Sequence, residues 1–191
     1  MTVLALAYVL LLYGSVMNNV FGLDGHGMKA YLLAPIQSRT ILAMKNLAVT
    51  LIIAAQCILL LAVNQLVFHD LSLESAFVGL LAFITAISLM TGFGNLVSIQ
   101  FPRSSPFGKR LEASPWAVLA MFLEVPISLL PIGVALLLGA VGASLVLKYA
   151  LMSAGTLLAL GIYRWVLLPR AALHFDRRAA IVAASVSGGN P

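Results

Sequence analysis

The stretch "LAVTLIIAAQCILLLAVNQLVF", Leu47–Phe68, contains no charged residue and is long enough to cross a lipid bilayer as one helix. A spanning helix needs about 20 mostly apolar residues, because the hydrocarbon core of a bilayer is about 30 Å thick. Cys57 within this stretch is the chain's only cysteine, so neither an intrachain disulfide nor a cysteine-based metal site can form. The stretch therefore predicts a membrane-spanning helix.

The composition extends this prediction to the whole chain. Of the 191 residues, 62% are hydrophobic and 9% are charged, and the mean hydropathy is +1.07. A soluble domain carries about 25% charged residues, and it needs polar side chains to cover its surface. The sequence therefore predicts an integral membrane protein, all-α, folded as a single polytopic bundle of transmembrane helices over residues 1–191.

Further apolar segments give the number of spans. In addition to Leu47–Phe68, the candidates are Val3–Val16, Ala76–Val97, Trp116–Leu138 and Leu145–Leu168. The first of them is short, and the residues before it include no Lys or Arg, which excludes a secretory signal peptide. We therefore predict five spans.

The positions of the basic residues predict the orientation. If the spans alternate, ten of the eleven Lys and Arg residues fall on one side, and Lys148 is the exception. Cytoplasmic connections carry the excess of Lys and Arg. Segments 19–46, 98–114 and 169–191 are then predicted to be cytoplasmic, in a multi-pass protein of the cell membrane with its C-terminus inside. Because this charge belongs to membrane topology, the net charge of +5 does not predict a nucleic-acid partner.

The odd number of spans predicts an incomplete assembly. The first span is short, uncharged and begins outside, whereas chains of this kind usually begin inside. We therefore expect the chain to be the C-terminal portion of a longer membrane protein, or to pair with another membrane subunit.

The first cytoplasmic segment, Asn19–Asn46, interrupts the apolar sequence with a glycine cluster and five charged residues or histidines. Asp24 is a predicted N-cap for a short helix through Leu33, because a carboxylate can accept the free N–H groups of a first turn. Pro35 restricts the residue before it and ends that helix, and Ser38 is predicted to cap the next one. Such a short amphipathic helix either rests among lipid headgroups or contacts a cytoplasmic partner.

Polar residues within the spans are candidates for a translocation path. Glu124 lies about 13 Å along its helix, near the middle of the bilayer. A carboxylate is costly there and should face protein, water or a partner, while Pro126 and Pro131 free backbone carbonyls that can line a cavity. Two alternatives remain for Glu124, a protonated side chain bonded to a neighbouring helix or a shifted span. Gln56 either lines the path or bonds to a neighbouring helix.

The remaining polar residues predict no catalytic or metal site. The three histidines are scattered over three connections on both sides of the membrane, and no hydrolase or zinc-protease motif is present. The segment "HFDRR", His174–Arg178, is predicted to be a solvated tail or one that faces anionic lipid headgroups.

Several blocks of the sequence resemble the permease subunits of ABC-2 type transporters, which are ATP-driven exporters. The blocks are "NVFGLDG" (Asn19–Gly25), Pro35 and Arg39 in "APIQSR", "KNLA" (Lys45–Ala48) and "GNLVSIQFPR" (Gly94–Arg103). The resemblance covers the first half of the chain in the expected order. It implies that the spans form a path through the bilayer, that a separate or fused ATPase binds ATP and Mg, and that the chain itself holds no cofactor.

The resemblance also implies a segment that couples the ATPase to the spans, with Asp24–Arg39 as its best match. The residues carried over to that segment are Asn19, Phe21, Gly22, Asp24, Gly25, Lys29, Pro35, Arg39 and Lys45. In the implied mechanism of alternating access, this segment moves when the ATPase closes on ATP. The family usually has at least six spans, so five spans imply a missing upstream half or a second permease subunit.

The sequence excludes an ATPase in this chain itself. A P-loop needs a Gly, four further residues, and then Gly-Lys-Ser/Thr. The only Gly-Lys pair, at Gly108, is followed by Arg110, and Arg103 stands where the first Gly should be. The chain is therefore predicted to be a non-enzymatic transport subunit that works with a cytoplasmic ABC ATPase and contacts membrane lipid. The alternative is a non-catalytic membrane scaffold or accessory subunit.

Overall fold

A computed structural model describes residues 2–22, 24–69, 71–102 and 115–187. All regular elements in these ranges are helical, which confirms the predicted all-α class. The helices are α1 (Thr2–Met17), α2 (Met28–Leu33), α3 (Ser38–Phe68), α4 (Leu73–Gln100), α5 (Pro115–Ala140), α6 (Leu145–Ile162) and α7 (Leu168–Val186). A 3₁₀ turn, Gly25–Gly27, precedes α2, and a π-helical turn, Tyr163–Leu167, joins α6 to α7.

Within the described residues, three helices are long and apolar enough to cross a membrane. They are α3, α4 and the continuous helix Leu145–Val186, and two shorter apolar stretches, Tyr8–Met17 and Leu129–Ala140, accompany them. These lengths are compatible with a multi-pass membrane protein. The count of five spans stays a prediction.

Helix α4 lies at the centre and packs against α1, α5, α6 and α7. Its buried hydroxyls bond to carbonyls of their own helix, as Thr85 does with Leu81 at 2.8 Å and Thr91 with Ile87 at 2.7 Å. Hydroxyls bonded in this way can be buried without an unpaired donor. Thr85 also lies 3.0 Å from the hydroxyl of Thr156, which joins α4 to α6.

Close packing of α4 on α1 depends on Gly94. A Cβ atom at this position would lie 2.5 Å from the carbonyl oxygen of Met17. We expect Gly94→Ala to lower the free energy of unfolding by about 1–3 kcal/mol, because the two helices must separate. Gly133 on α5 has open space around it and is the matched control, since Gly133→Ala should be neutral or slightly stabilising. Thermal unfolding of both variants in detergent tests this, and equal losses would contradict it.

Helix α3 begins at Ser38, within one residue of the predicted start and nine residues before the predicted span at Leu47. Ser38 is not the predicted cap. Gln37 occupies the N-cap position without a side-chain bond, and the hydroxyl of Ser38 bonds to the carboxylate of Asp176 on α7.

The segment His174–Arg178, predicted to be a solvated or headgroup-facing tail, is helical, and its exposed His174 and Arg177 are consistent with either environment. It belongs to α7, an amphipathic helix that continues α6 and whose apolar face packs against α2, α3 and α4. Its buried residues are Leu168, Ala171, Ala172, Phe175, Val182, Ala183 and Val186. They recur every three or four residues, which is the spacing of one helix face. Residues 188–191 lie outside the described ranges.

Described basic side chains gather at one end of the bundle, as the orientation argument requires. At that end α7 contacts both the connection between α1 and α3, through Phe175 and Phe21, and the end of α4, through Arg178 and Gln100. Lys148 lies at the opposite end, where its ammonium is 3.1 Å from the carboxylate of Glu74. The side of the membrane that each end faces stays a prediction.

Candidate functional site

The connection between α1 and α3 folds around one lysine. The ammonium of Lys45 on α3 lies 2.5 Å from a carboxylate oxygen of Asp24 and donates a hydrogen bond of 3.2 Å to the carbonyl of Val20. The exposed fractions of the Lys45 and Asp24 side chains are only 13% and 17%. Burial of a charge is costly unless the charge is paired and hydrogen-bonded, and here Asp24 and Lys45 supply each other's counter-charge. Lys45 therefore fixes this connection to the first turns of α3.

Two aromatic rings complete the surroundings of Lys45. Its ammonium lies 5.1 Å from the ring centre of Phe21 and 5.2 Å from that of Tyr31, within the range of cation–π attraction. Burial, with a further contribution from the charge of Asp24, raises the pKa of the Tyr31 phenol. We call Val20, Phe21, Asp24, Tyr31 and Lys45 the Lys45 cluster.

The Lys45 cluster is joined to α7 and α4 through Phe21. The ring of Phe21 stacks on that of Phe175, with ring centres 4.8 Å apart and planes 11° from parallel. Both side chains are almost completely buried. The backbone N–H of Phe21 donates to the hydroxyl of Ser98 near the end of α4, at 3.4 Å. One residue of the connection thus contacts two helices from distant parts of the sequence.

The predicted capping role of Asp24 is wrong. Helix α2 begins at Met28, its N-cap position is occupied by Gly27, and no side chain bonds to its first turn. A 3₁₀ turn lies between, in which the carbonyl of Asp24 accepts from Gly27. The carboxylate pairs with Lys45 because a full opposite charge attracts it more strongly than a backbone N–H. The helix does end at Leu33 as predicted, since the residue before Pro35 is extended.

The other residues carried over from the resemblance lie around the Lys45 cluster. A Cβ at Gly22 would overlap the side chain of Asn19, and Gly25 has a positive φ of 50°, so both positions favour glycine. Lys29 and Pro35 are exposed. The structure therefore brings most of these residues together, although nothing in it tests their role in coupling.

Arg39 contacts the π-helical turn between α6 and α7. Its Nη2 donates to the carbonyl of Arg164 at 3.0 Å. The N–H of Leu168 bonds to Tyr163, and Pro169 has no N–H, so the carbonyl of Arg164 has no helical donor. A carbonyl in this position needs another donor, and Arg39 supplies it. Arg39 is therefore bound within the chain.

Three of the four translocation-path candidates have described side chains, namely Gln56, Pro126 and Pro131. Pro131 is buried and lines a cavity of about 260 Å³ between α4, α5 and α6, together with Thr85. Pro126 is exposed on α5, and Gln56 is exposed on α3, so neither lines that cavity. Glu124 lies on α5, but its side chain lies outside the described part. The path stays a prediction.

Sequence reasoning missed the polar contacts that bind α7 and the π-helical turn to the rest of the bundle. The amide of Asn46 donates to the hydroxyl of Tyr163 at 2.8 Å. Arg178 donates both to the carbonyl and to the side chain of Gln100, at 3.0 and 2.6 Å. The apolar periodicity of residues 168–186 was the signal for a packed helix, but contacts more than 75 residues apart in sequence leave no local pattern.

Comparison with known proteins adds no identity. No family model, no curated protein and no solved structure matches the chain. The resemblance to ABC-2 permeases therefore stays a prediction from short blocks of sequence.

Proposed function

We propose that the chain is a membrane permease subunit of an ABC-2 type exporter, which couples ATP hydrolysis by a partner ATPase to substrate translocation. The observation that supports this proposal is the Lys45 cluster. It ties the connection between α1 and α3 to the ends of α3, α4 and α7 through an ion pair, a ring stack and hydrogen bonds. A displacement of this connection would therefore be passed to the long helices and not absorbed in a loose loop.

The proposal places contact with the ATPase on α2 and the neighbouring face of α7. An open groove of about 460 Å³ lies between these helices and includes Lys29, Leu32 and Leu33. Leu33 is 86% exposed. An exposed apolar side chain beside a cation suits a protein partner that offers an apolar side chain and a carboxylate. Asp24 and Lys45 already bond to each other, so Lys29 and Leu33 are the residues left for a partner.

A charge reversal on this surface tests the proposal. We expect Lys29→Glu with Leu33→Glu to abolish stoichiometric co-purification of the ATPase, because it removes the apolar contact and repels an acidic partner. Both side chains are exposed, so the double variant should still insert and keep its thermal stability. The measurement is affinity purification in mild detergent, with the ATPase rate of the purified complex as readout.

The chain offers a matched control at the opposite end. Leu73 is 88% exposed at the start of α4, so Leu73→Glu makes the same change as Leu33→Glu at an equally exposed leucine. The control should retain the ATPase. If both variants retain it, or both lose it, the α2 surface is not the contact site.

The alternative function is a non-catalytic membrane scaffold or accessory subunit. One observation favours it, because Asp24 and Lys45 form an ion pair with each other and Arg39 donates to a backbone carbonyl of the chain. In that case α2 rests in the headgroup region. A preparation that contains no ATPase, and whose stability and insertion are unaffected by Lys29→Glu with Leu33→Glu, would support the scaffold.

The proposal also includes a second membrane subunit, or an upstream half, and contact with lipid. Helix α3 exposes large apolar side chains along its length, among them Leu51, Ile58 and Leu66. In a membrane such a face contacts acyl chains or another spanning helix. Mass measurement of the detergent-solubilised complex would show which subunits accompany the chain.

A further inference from the structure

A groove runs between α3 and α6, and α4 forms its floor. It encloses about 680 Å³, within the range of about 300–1,000 Å³ that is usual for ligand pockets. Helix α3 packs mainly on α1 and α7, and its first half, up to Thr50, lines one side of the groove. The lining residues on which the argument depends are Arg39, Asn46, Leu47, Phe83, Leu160 and Arg164.

One end of the groove is strongly basic. Arg39 and Arg164 both line it, and the Nη2 of Arg39 bonds to the backbone carbonyl of Arg164. A guanidinium has five N–H donors, and the buried Nε of Arg39 has no hydrogen-bond partner. The carboxylates of Asp24 and Glu74 form ion pairs with Lys45 and Lys148, which lie outside this groove. The described residues therefore leave two positive charges and a buried donor unpaired at this end.

Away from the two arginines the surface of the groove is mainly apolar, although Gln37, Thr40 and Thr50 also line it. Leu47, Phe83 and Leu160 present their side chains to it. Its hydroxyl groups include those of Ser88 and Thr91, which already bond to carbonyls of their own helix at 2.7 Å. The groove therefore offers a mainly apolar surface beside two guanidinium groups. Such a groove is complementary to an amphiphile that has an anionic head and a hydrocarbon chain.

We propose that this groove binds one anionic phospholipid, with its phosphate at Arg39 and Arg164 and an acyl chain along Leu47 and Leu160. Guanidinium groups bind phosphate through paired, charge-assisted hydrogen bonds. Basic pockets between spanning helices near the cytoplasmic face are suited to such headgroups. The proposal requires only that the helices lie in a membrane, and it does not depend on an ATPase partner.

The test is lipid retention by the purified full-length chain. Native mass spectrometry in detergent would compare retained phosphatidylglycerol with retained phosphatidylcholine. We expect the unmodified chain to prefer phosphatidylglycerol, and Arg164→Gln to reduce that preference about fivefold, since one basic residue contributes about that much. Arg164→Gln keeps the backbone carbonyl that Arg39 contacts. Arg170→Gln, an exposed arginine outside the groove lining, is the matched control and should leave the preference unchanged.

A second variant tests the apolar part without changing charge. Leu47→Trp should fill the groove and also reduce lipid retention. Equal losses for Arg164→Gln and Arg170→Gln would show only a general attraction of basic residues to the membrane and would overturn the proposal.

Two further outcomes would also overturn it. If millimolar inorganic phosphate displaces the lipid, the headgroup alone occupies the site. If Leu47→Trp leaves lipid retention unchanged but alters the oligomeric mass, a second copy of the chain fills the groove. Because none of these measurements involves ATP, they can fail or succeed independently of the proposed export function.

Discussion

Lys45→Ala should lower the free energy of unfolding by about 3 kcal/mol, because it leaves the carboxylate of Asp24 mostly buried without a counter-charge. The variant also removes the hydrogen bond to Val20 and the cation between two rings. For a chain of this size the melting temperature should fall by roughly 6–12 °C. Thermal unfolding in detergent measures this shift, since the helices are apolar.

Lys29 provides the control for Lys45. It lies at the same end of the bundle but is exposed, so Lys29→Ala should change the melting temperature little. The double variant Asp24→Asn with Lys45→Ala should recover part of the loss, because it removes the unpaired charge, and the non-additivity measures the ion pair. Equal losses of stability for Lys29→Ala and Lys45→Ala would contradict the stabilising role of the Lys45 cluster.

The sequence could predict the helical class, but not the contacts that assemble the candidate site. Leu47–Phe68 is apolar throughout, so its helix follows from the cost of unpaired backbone in lipid. Asp24 and Lys45 are 21 positions apart and their pairing depends on the 3₁₀ turn at Gly25–Gly27. Helix-capping preferences predict Asp24 at the nearest helix start, because they depend only on neighbours in sequence. They do not include the ammonium of Lys45, which is far away in sequence.

The packing of α7 was not predicted from the sequence, for a different physical reason. The basic residues of His174–Arg178 indicated a tail that faces solvent or headgroups, and they lie on a helix whose opposite face is apolar. Burial of α7 depends instead on the spacing of Phe175 and its neighbours, which places an apolar stripe on one side. Pro169 does not end the helix, because a π-helical turn accommodates it and the helix continues.

Phe175→Ala should detach α7 from the bundle and cost about 3–5 kcal/mol, the usual range for removing a buried aromatic side chain. Its ring stacks on Phe21 and is 2% exposed, so the variant leaves a cavity at the point where α7 meets the Lys45 cluster. Detachment would expose the backbone near Arg177 and Arg178 to trypsin. We expect cleavage there to accelerate at least tenfold, since each 1.4 kcal/mol raises the open population about tenfold.

Leu173 lies on the same helix and is 52% exposed, so Leu173→Ala should leave the trypsin cleavage rate unchanged. The comparison distinguishes a docked helix from a surface-bound one. If α7 merely rested on lipid headgroups, removal of Leu173 would matter as much as removal of Phe175, and cleavage would depend on the membrane. If the cleavage rate rises only for Phe175→Ala, the stack of Phe175 on Phe21 holds α7 in place. The connection between α1 and α3 would then move together with α7 as one unit.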